Sequence, residues 1–169
     1  MLHHVSVGVR DVARAAPFYD RVLGALGYRR VMEFLPYGIG YGEDHPEFWV
    51  QLPHDRGSAS VGNGVHVAFA ARDKAVIEAF HRAALAAGGT DDGAPGPRPD
   101  YGPHYFGAFV RDLDGNKLEA VLIAFPVAAS GTKSKKKRTA KKAKKKGRRE
   151  TATKRRVAAA GRRRRARTR

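Results

Sequence analysis

The sequence predicts an α+β domain built from two copies of one strand–helix–strand unit, followed by a disordered basic tail. Three observations carry that prediction. The first is an internal repeat. Val65-His66-Val67-Ala68-Phe69-Ala70-Ala71-Arg72-Asp73 echoes His4-Val5-Ser6-Val7-Gly8-Val9-Arg10-Asp11 at an offset of 62 positions, and the register continues through Phe18 and Phe80, Leu23 and Leu85, Gly27 and Gly89. A histidine, an acidic helix start, an aromatic and a terminal glycine kept in step point to a duplicated supersecondary unit. The second is that each copy opens on a two-residue alternation that gives way to a helical period. The third is a break in charge: residues 1–130 hold 12 Lys and Arg against 15 Asp and Glu, whereas 131–169 hold 21 against the single acid Glu150. The net charge of +17 therefore belongs to the tail alone.

In the first copy, His3, Val5, Val7 and Val9 share one face of a strand, with His4, Ser6 and Gly8 on the other. The valine face suits a helix, and the face of histidine and small residues leaves room for a ligand. Asp11 is placed to cap a helix whose stripe is Val12, Ala15, Ala16, Tyr19, Val22, Leu23 and Leu26, ending at Gly24 and Gly27. Pro17 conflicts with that pattern, so a kink or a later start is expected. Strands follow at 28–35, 39–43 and 47–52. Gly38, Gly40 and Gly42 suit a hairpin with room for a neighbouring aromatic.

Residues 54–63 form a polar, glycine-rich linker between module one (1–53) and module two (64–127). The second copy runs through a strand at 64–71, a helix from Asp73 to about Ala87 with Val76, Ile77, Phe80, Ala84 and Leu85 inward, and a Gly/Pro-rich loop at 94–103. Strands at 104–111 and 117–125 follow, joined by the turn 112–116. His3 falls on the helix side, and His45, His54 and His81 read as surface or linker positions.

The chain contains no cysteine, which excludes disulfides and thiolate chemistry. It shows neither a signal-peptide pattern nor an apolar run of about 18 residues that could span a bilayer, so a cytoplasmic location is expected.

The last strand carries Glu119 between Leu118 and Ala120. A carboxylate there is costly unless paired or bound to a cation. His4 and His66, equivalent by the repeat, together with Glu119 make a set that suits one divalent metal (Fe, Mn, Ni or Zn) with open coordination positions. Trp49, Gln51, His104 and Tyr105 are the candidates to contact a substrate.

The segments Leu2-His3-His4-Val5-Ser6-Val7-Gly8-Val9, Phe18-Tyr19, Gly64-Val65-His66-Val67-Ala68-Phe69 and the stretch from Phe109 to Val121 resemble the vicinal oxygen chelate superfamily. That superfamily includes glyoxalase I, fosfomycin- and bleomycin-resistance proteins and extradiol ring-cleaving dioxygenases. The resemblance implies paired βαβββ modules around a metal-binding cup, with ligands from the first and last strands of each module. His4, His66 and Glu119 match three of these positions. The fourth falls on Trp49 or Gln51, and neither is a carboxylate. It further implies a lyase or dioxygenase acting on a small oxygenated molecule chelated at the metal, with Glu119 as the candidate base. The cup could close within one chain or across a homodimer.

The tail, 128–169, has a composition suited to non-specific binding of nucleic acid through its backbone phosphates. An alternative function follows: a metal-free binding or sequestering domain of the resistance type, tethered to nucleic acid by that tail.

Overall fold

The computed structural model describes residues 2–123; the expected basic tail lies outside them. The first module runs β1 (Val5–Gly8), α1 (Val12–Gly24), β2 (Arg29–Phe34), β3 (Gly38–Gly42), β4 (Phe48–Gln51). The second runs β5 (His66–Ala70), α2 (Lys74–Ala86), β6 (Thr90–Pro97), a short 3-10 turn at Pro99–Tyr101, β7 (Tyr105–Arg111), β8 (Lys117–Ile123). Each is a βαβββ module whose four-stranded sheet has the order β1-β4-β3-β2 or β5-β8-β7-β6. The first strand of each sheet pairs in parallel with the last, and the other pairs are antiparallel. The two helices keep the 62-residue offset at both ends.

Each helix starts where its aspartate satisfies a first-turn N–H: Asp11 accepts from Arg14 N at 3.0 Å and Asp73 from Val76 N at 2.9 Å. Pro17 lies inside α1 without delaying its start. Its ring and the Ala13 carbonyl it leaves without a donor both lie on the exposed face, where water can substitute. In α2, Leu85 is exposed, while His81, expected at the surface, is buried and bonds Asp91 at 2.8 Å. His81 sits four residues after Ile77, on the inward stripe. The helix ends at the expected Gly88-Gly89 pair, with Gly88 taking the left-handed conformation at φ 92°.

The expected loop at 94–103 begins inside the strand β6, which takes in residues 94–97. Its Gly and Pro residues hid it, and they are tolerated because, among the described residues, β6 is an edge strand that pairs with β7 alone, through register shifts. Module two thereby regains its third antiparallel strand.

The helix-facing sides of the sheets form the core. Val9, Tyr19, Ile39, Phe48, Val50, Ile77, Phe80, Val110 and Leu118 are essentially inaccessible. Phe48 and Tyr28 each meet Phe69 edge-on, joining the modules. A polar junction supplements them. The buried Asp112, opening the β7–β8 turn, accepts from Tyr19 Oη at 2.6 Å, from Asp114 N at 2.9 Å, and from Asn116 N and Nδ2 at 2.7 and 2.9 Å. Asn116 Nδ2 also reaches Gly8 O at 3.0 Å, and Arg10 pairs with Asp114. Burial and then the Asp112 charge push the Tyr19 hydroxyl well above the ordinary phenol value, so it remains a donor.

Asp112→Ala should cost about 3 kcal/mol and Tyr19→Phe about half of that, because the first strips four donors of their acceptor and leaves a buried hydroxyl unpaired. Urea midpoints of the two variants check the order; equal, small losses would show that water replaces the carboxylate.

Candidate functional site

In β8, Leu118 and Ala120 point into the core, so the two-residue period turns Glu119 to the opposite face. There it pairs in register with Ala68 of β5 and Phe109 of β7. That face is built from small or functional side chains: His66, Ala68 and Ala70 on β5, and Tyr105, Gly107 and Phe109 on β7. Gly107 leaves room for the carboxylate, since a Cβ there would crowd Glu119 Oε1 at 3.0 Å.

Glu119 is fully buried, and each carboxylate oxygen has one partner. Tyr105 Oη donates to Oε1 at 2.5 Å, and His66 Nε2 lies 3.2 Å from Oε2. Burial first, and then the bond to Glu119, raise the Tyr105 hydroxyl above its ordinary value, so it stays protonated and donates. The His66 side chain is 45% exposed and stands edge-on to Phe109. These groups line a cleft of about 450 Å³ together with Arg111 and Lys117. Both cations are engaged by Asp92, at 3.2 and 3.0 Å. Lys117 first, then Arg111, holds the Asp92 carboxyl below the usual range.

Module one presents the equivalent face with different chemistry. Register resolves the choice left open between Trp49 and Gln51: Ser6 pairs with Trp49 as Ala68 pairs with Glu119, so Trp49 holds the position of the carboxylate. Gln51 corresponds to Val121. Gly40 opposes Trp49, and a Cβ at Gly40 would come within 3.1 Å of the indole, so the hairpin does make room for an aromatic. Trp49 and Gln51 line a separate cleft of about 960 Å³ with Phe34, Tyr37 and Arg56.

The expected site residues thus fall into four places. His66, Glu119 and Tyr105 come together in module two, and Trp49 and Gln51 in module one. His4 precedes β1, exposed, with its Nδ1 2.9 Å from that of His3. His104 is exposed in the turn before β7. Among the described residues, no three His, Asp or Glu side chains gather closely enough to hold an ion. The partnership of Tyr105 with Glu119 was not anticipated, although the alternation Tyr105, Gly107, Phe109 could have suggested a β7 face turned the same way.

The donors present do fit one: an imidazole nitrogen and a carboxylate oxygen 3.2 Å apart match two ligands each about 2.0–2.2 Å from a divalent ion. They make half a coordination set.

Comparison with known proteins agrees with this architecture. Residues 1–120 match the family model described as the Glyoxalase/Bleomycin resistance protein/Dioxygenase superfamily. Among solved structures, the chain is similar to a glyoxalase/bleomycin resistance protein from Albidiferax ferrireducens T118, with 36% identity, a TM-score of 0.62, and coverage of 70% of this chain and 95% of that one. A glyoxalase-related enzyme from Fulvimarina pelagi (22%, TM-score 0.57, 72% and 86% covered) and a lactoylglutathione lyase from Agrobacterium tumefaciens (17%, TM-score 0.52, 72% and 92% covered) share the fold. No curated protein matches. From its paired modules, its family match and its relative at more than a third identity, the chain belongs to the glyoxalase/bleomycin resistance protein/dioxygenase superfamily.

Proposed function

We propose that this protein is a divalent-metal-dependent enzyme of the glyoxalase/dioxygenase type, acting on a small oxygenated molecule that binds through neighbouring oxygens. The observation that carries the reading is the fully buried Glu119 carboxylate, whose partners are a phenol and an imidazole. Lys117 and Arg111 are already paired with Asp92, so among the described residues Glu119 has no dedicated cation. A buried acid in that state favours an ion or a proton held nearby.

His66 and Glu119 would hold the metal, with His4 as third ligand, giving the two-histidine, one-carboxylate set that leaves positions open for substrate. When bound, the metal supplies Lewis acidity toward substrate oxygens. The side chains do the rest. Tyr105 holds a proton at Oη beside Glu119 Oε1, so proton transfer to or from the carboxylate has a partner at hydrogen-bond distance. Phe109 and Tyr101 wall one side of the cleft.

His4 would come from a second copy of the chain. His4 and His66 do not meet within one chain, and apolar residues beside both clefts are uncovered: Phe34, Leu35 and Tyr37 in module one, Val65, Tyr101 and Ile123 in module two. A two-fold pairing of module one on module two covers both sets and completes two equivalent sites.

Elemental analysis of the full chain purified without chelators should find near one equivalent of Fe, Mn, Ni or Zn, and His66→Ala or Glu119→Gln should lower it by about tenfold or more. A chain that is empty and takes up none on titration sinks the enzymatic reading and leaves a metal-free binding domain.

The shared site has its own test. His4→Ala and His66→Ala chains, each unable to load, are co-refolded. Random pairing makes half of the dimers mixed, each with one intact site, so roughly a quarter of the metal capacity returns. No recovery would place both histidines in one chain's site.

A further inference from the structure

The module-one cleft has a composition that the metal reading does not explain. Trp49 occupies the position that carries a carboxylate in module two, and Phe34 stacks on it with ring centroids 6.1 Å apart and planes 16° from parallel. Gly40 lies flat beneath the indole. Among the described residues no acid lines this cleft, while Arg56 and His54 do. Its other arginine, Arg10, is committed to Asp114 and to Leu113 O. Arg56 has no ion-pair partner among the described residues. It is also the only described non-glycine residue with positive φ, at 62°, a conformation that costs energy and tends to persist where the surroundings need it.

A half-buried indole stacked with the exposed Phe34, in one cleft with an unpaired guanidinium, selects for a ligand with a π-face and a negative charge in one small molecule. We propose that this cleft binds a planar aromatic carboxylate, its ring laid against the Phe34–Trp49 stack, whose outer ring Phe34 is exposed, and its carboxylate held by Arg56 with His54 beside it. The inference deepens the proposed function, and rests on it, by naming the substrate class whose anionic end module one would hold while its oxygens approach the half-site of a partner's module two.

Trp49 is the only tryptophan of the chain, so its emission reports on this cleft and ignores anions that bind the basic tail. The full chain, chelator-treated and metal-loaded in parallel, is titrated with benzoate, with benzyl alcohol (ring without charge) and with cyclohexanecarboxylate (charge without aromatic ring). Benzoate should give a saturable change in Trp49 emission, and the two controls should need about tenfold higher concentration or give none. Arg56→Gln should weaken benzoate about three- to tenfold, and Arg56→Lys should recover part of the loss.

A response to benzyl alcohol equal to that of benzoate, or one untouched by Arg56→Gln, overturns the proposal, as does no response in either sample. The failures are separable. A metal-loaded chain indifferent to benzoate rejects this substrate class and leaves the metal site standing. A chain that binds benzoate but never takes up metal rejects the metal-dependent reading and keeps the cleft.

Discussion

The buried carboxylate of Asp112 is the constraint on which the arrangement depends. Its two oxygens take four donors, three of them from the turn it opens and one from Tyr19 on the other module's helix. The turn bonds fix where β7 ends and β8 begins, and so set Arg111 opposite Lys117 and Phe109 opposite Glu119. A slip of one residue would exchange faces, driving Glu119 into the core and putting Leu118 in the cleft. The Tyr19 bond holds that turn against α1, and Asn116 ties it to the end of β1. One aspartate thus sets both the facing of the candidate site and the seating of module two on module one.

The two modules share a backbone plan but have diverged on their open faces. A buried carboxylate needs donors and space, and module two supplies them in Tyr105, His66 and Gly107. Module one has a glycine, Gly40, opposite the equivalent position. A flat glycine surface offers no hydrogen bond to an acid but accommodates an indole closely. The carboxylate of one copy and the aromatic of the other therefore each match their cross-strand neighbours. The difference is written into paired positions on two strands, not into one substitution.

Much of this was legible in the sequence, and the exceptions have physical causes. Asp11 and Asp73 announced the helices because an N-cap is local chemistry. The repeat placed His4 and His66 at corresponding positions, and the apolar flanks of Glu119 marked it as costly. β6 was hidden because an edge strand with register shifts tolerates the Gly and Pro that ordinarily break strands. For the same reason Trp49 could not be matched to Glu119. The offset between copies widens from 62 at Ser6 and Ala68 to 70 at Trp49 and Glu119, and the extra residues fall in β6 and the turn after it. His81 was misread because polarity was weighed above its place on the inward stripe, where Asp91 supplies a partner.

The charges around Glu119 make the case for an incomplete site. Asp92 draws in both Lys117 and Arg111, so the basic residues bordering the cleft compensate that acid and not the buried one. Tyr105 contributes a dipole and no charge. An ion between the His66 and Glu119 side chains would supply the compensating positive charge. Such an ion becomes more strongly favoured as water is removed, since the field of a buried carboxylate grows as the effective dielectric falls. Anything that closes the cleft therefore raises the demand for a cation there. In a second copy, His4 is an exposed imidazole at the edge of the opposing face, and Trp49 would form an apolar wall beside it. In the proposed pairing, closure and cation binding would then reinforce one another, because the surface that excludes water would also bring the proposed third ligand.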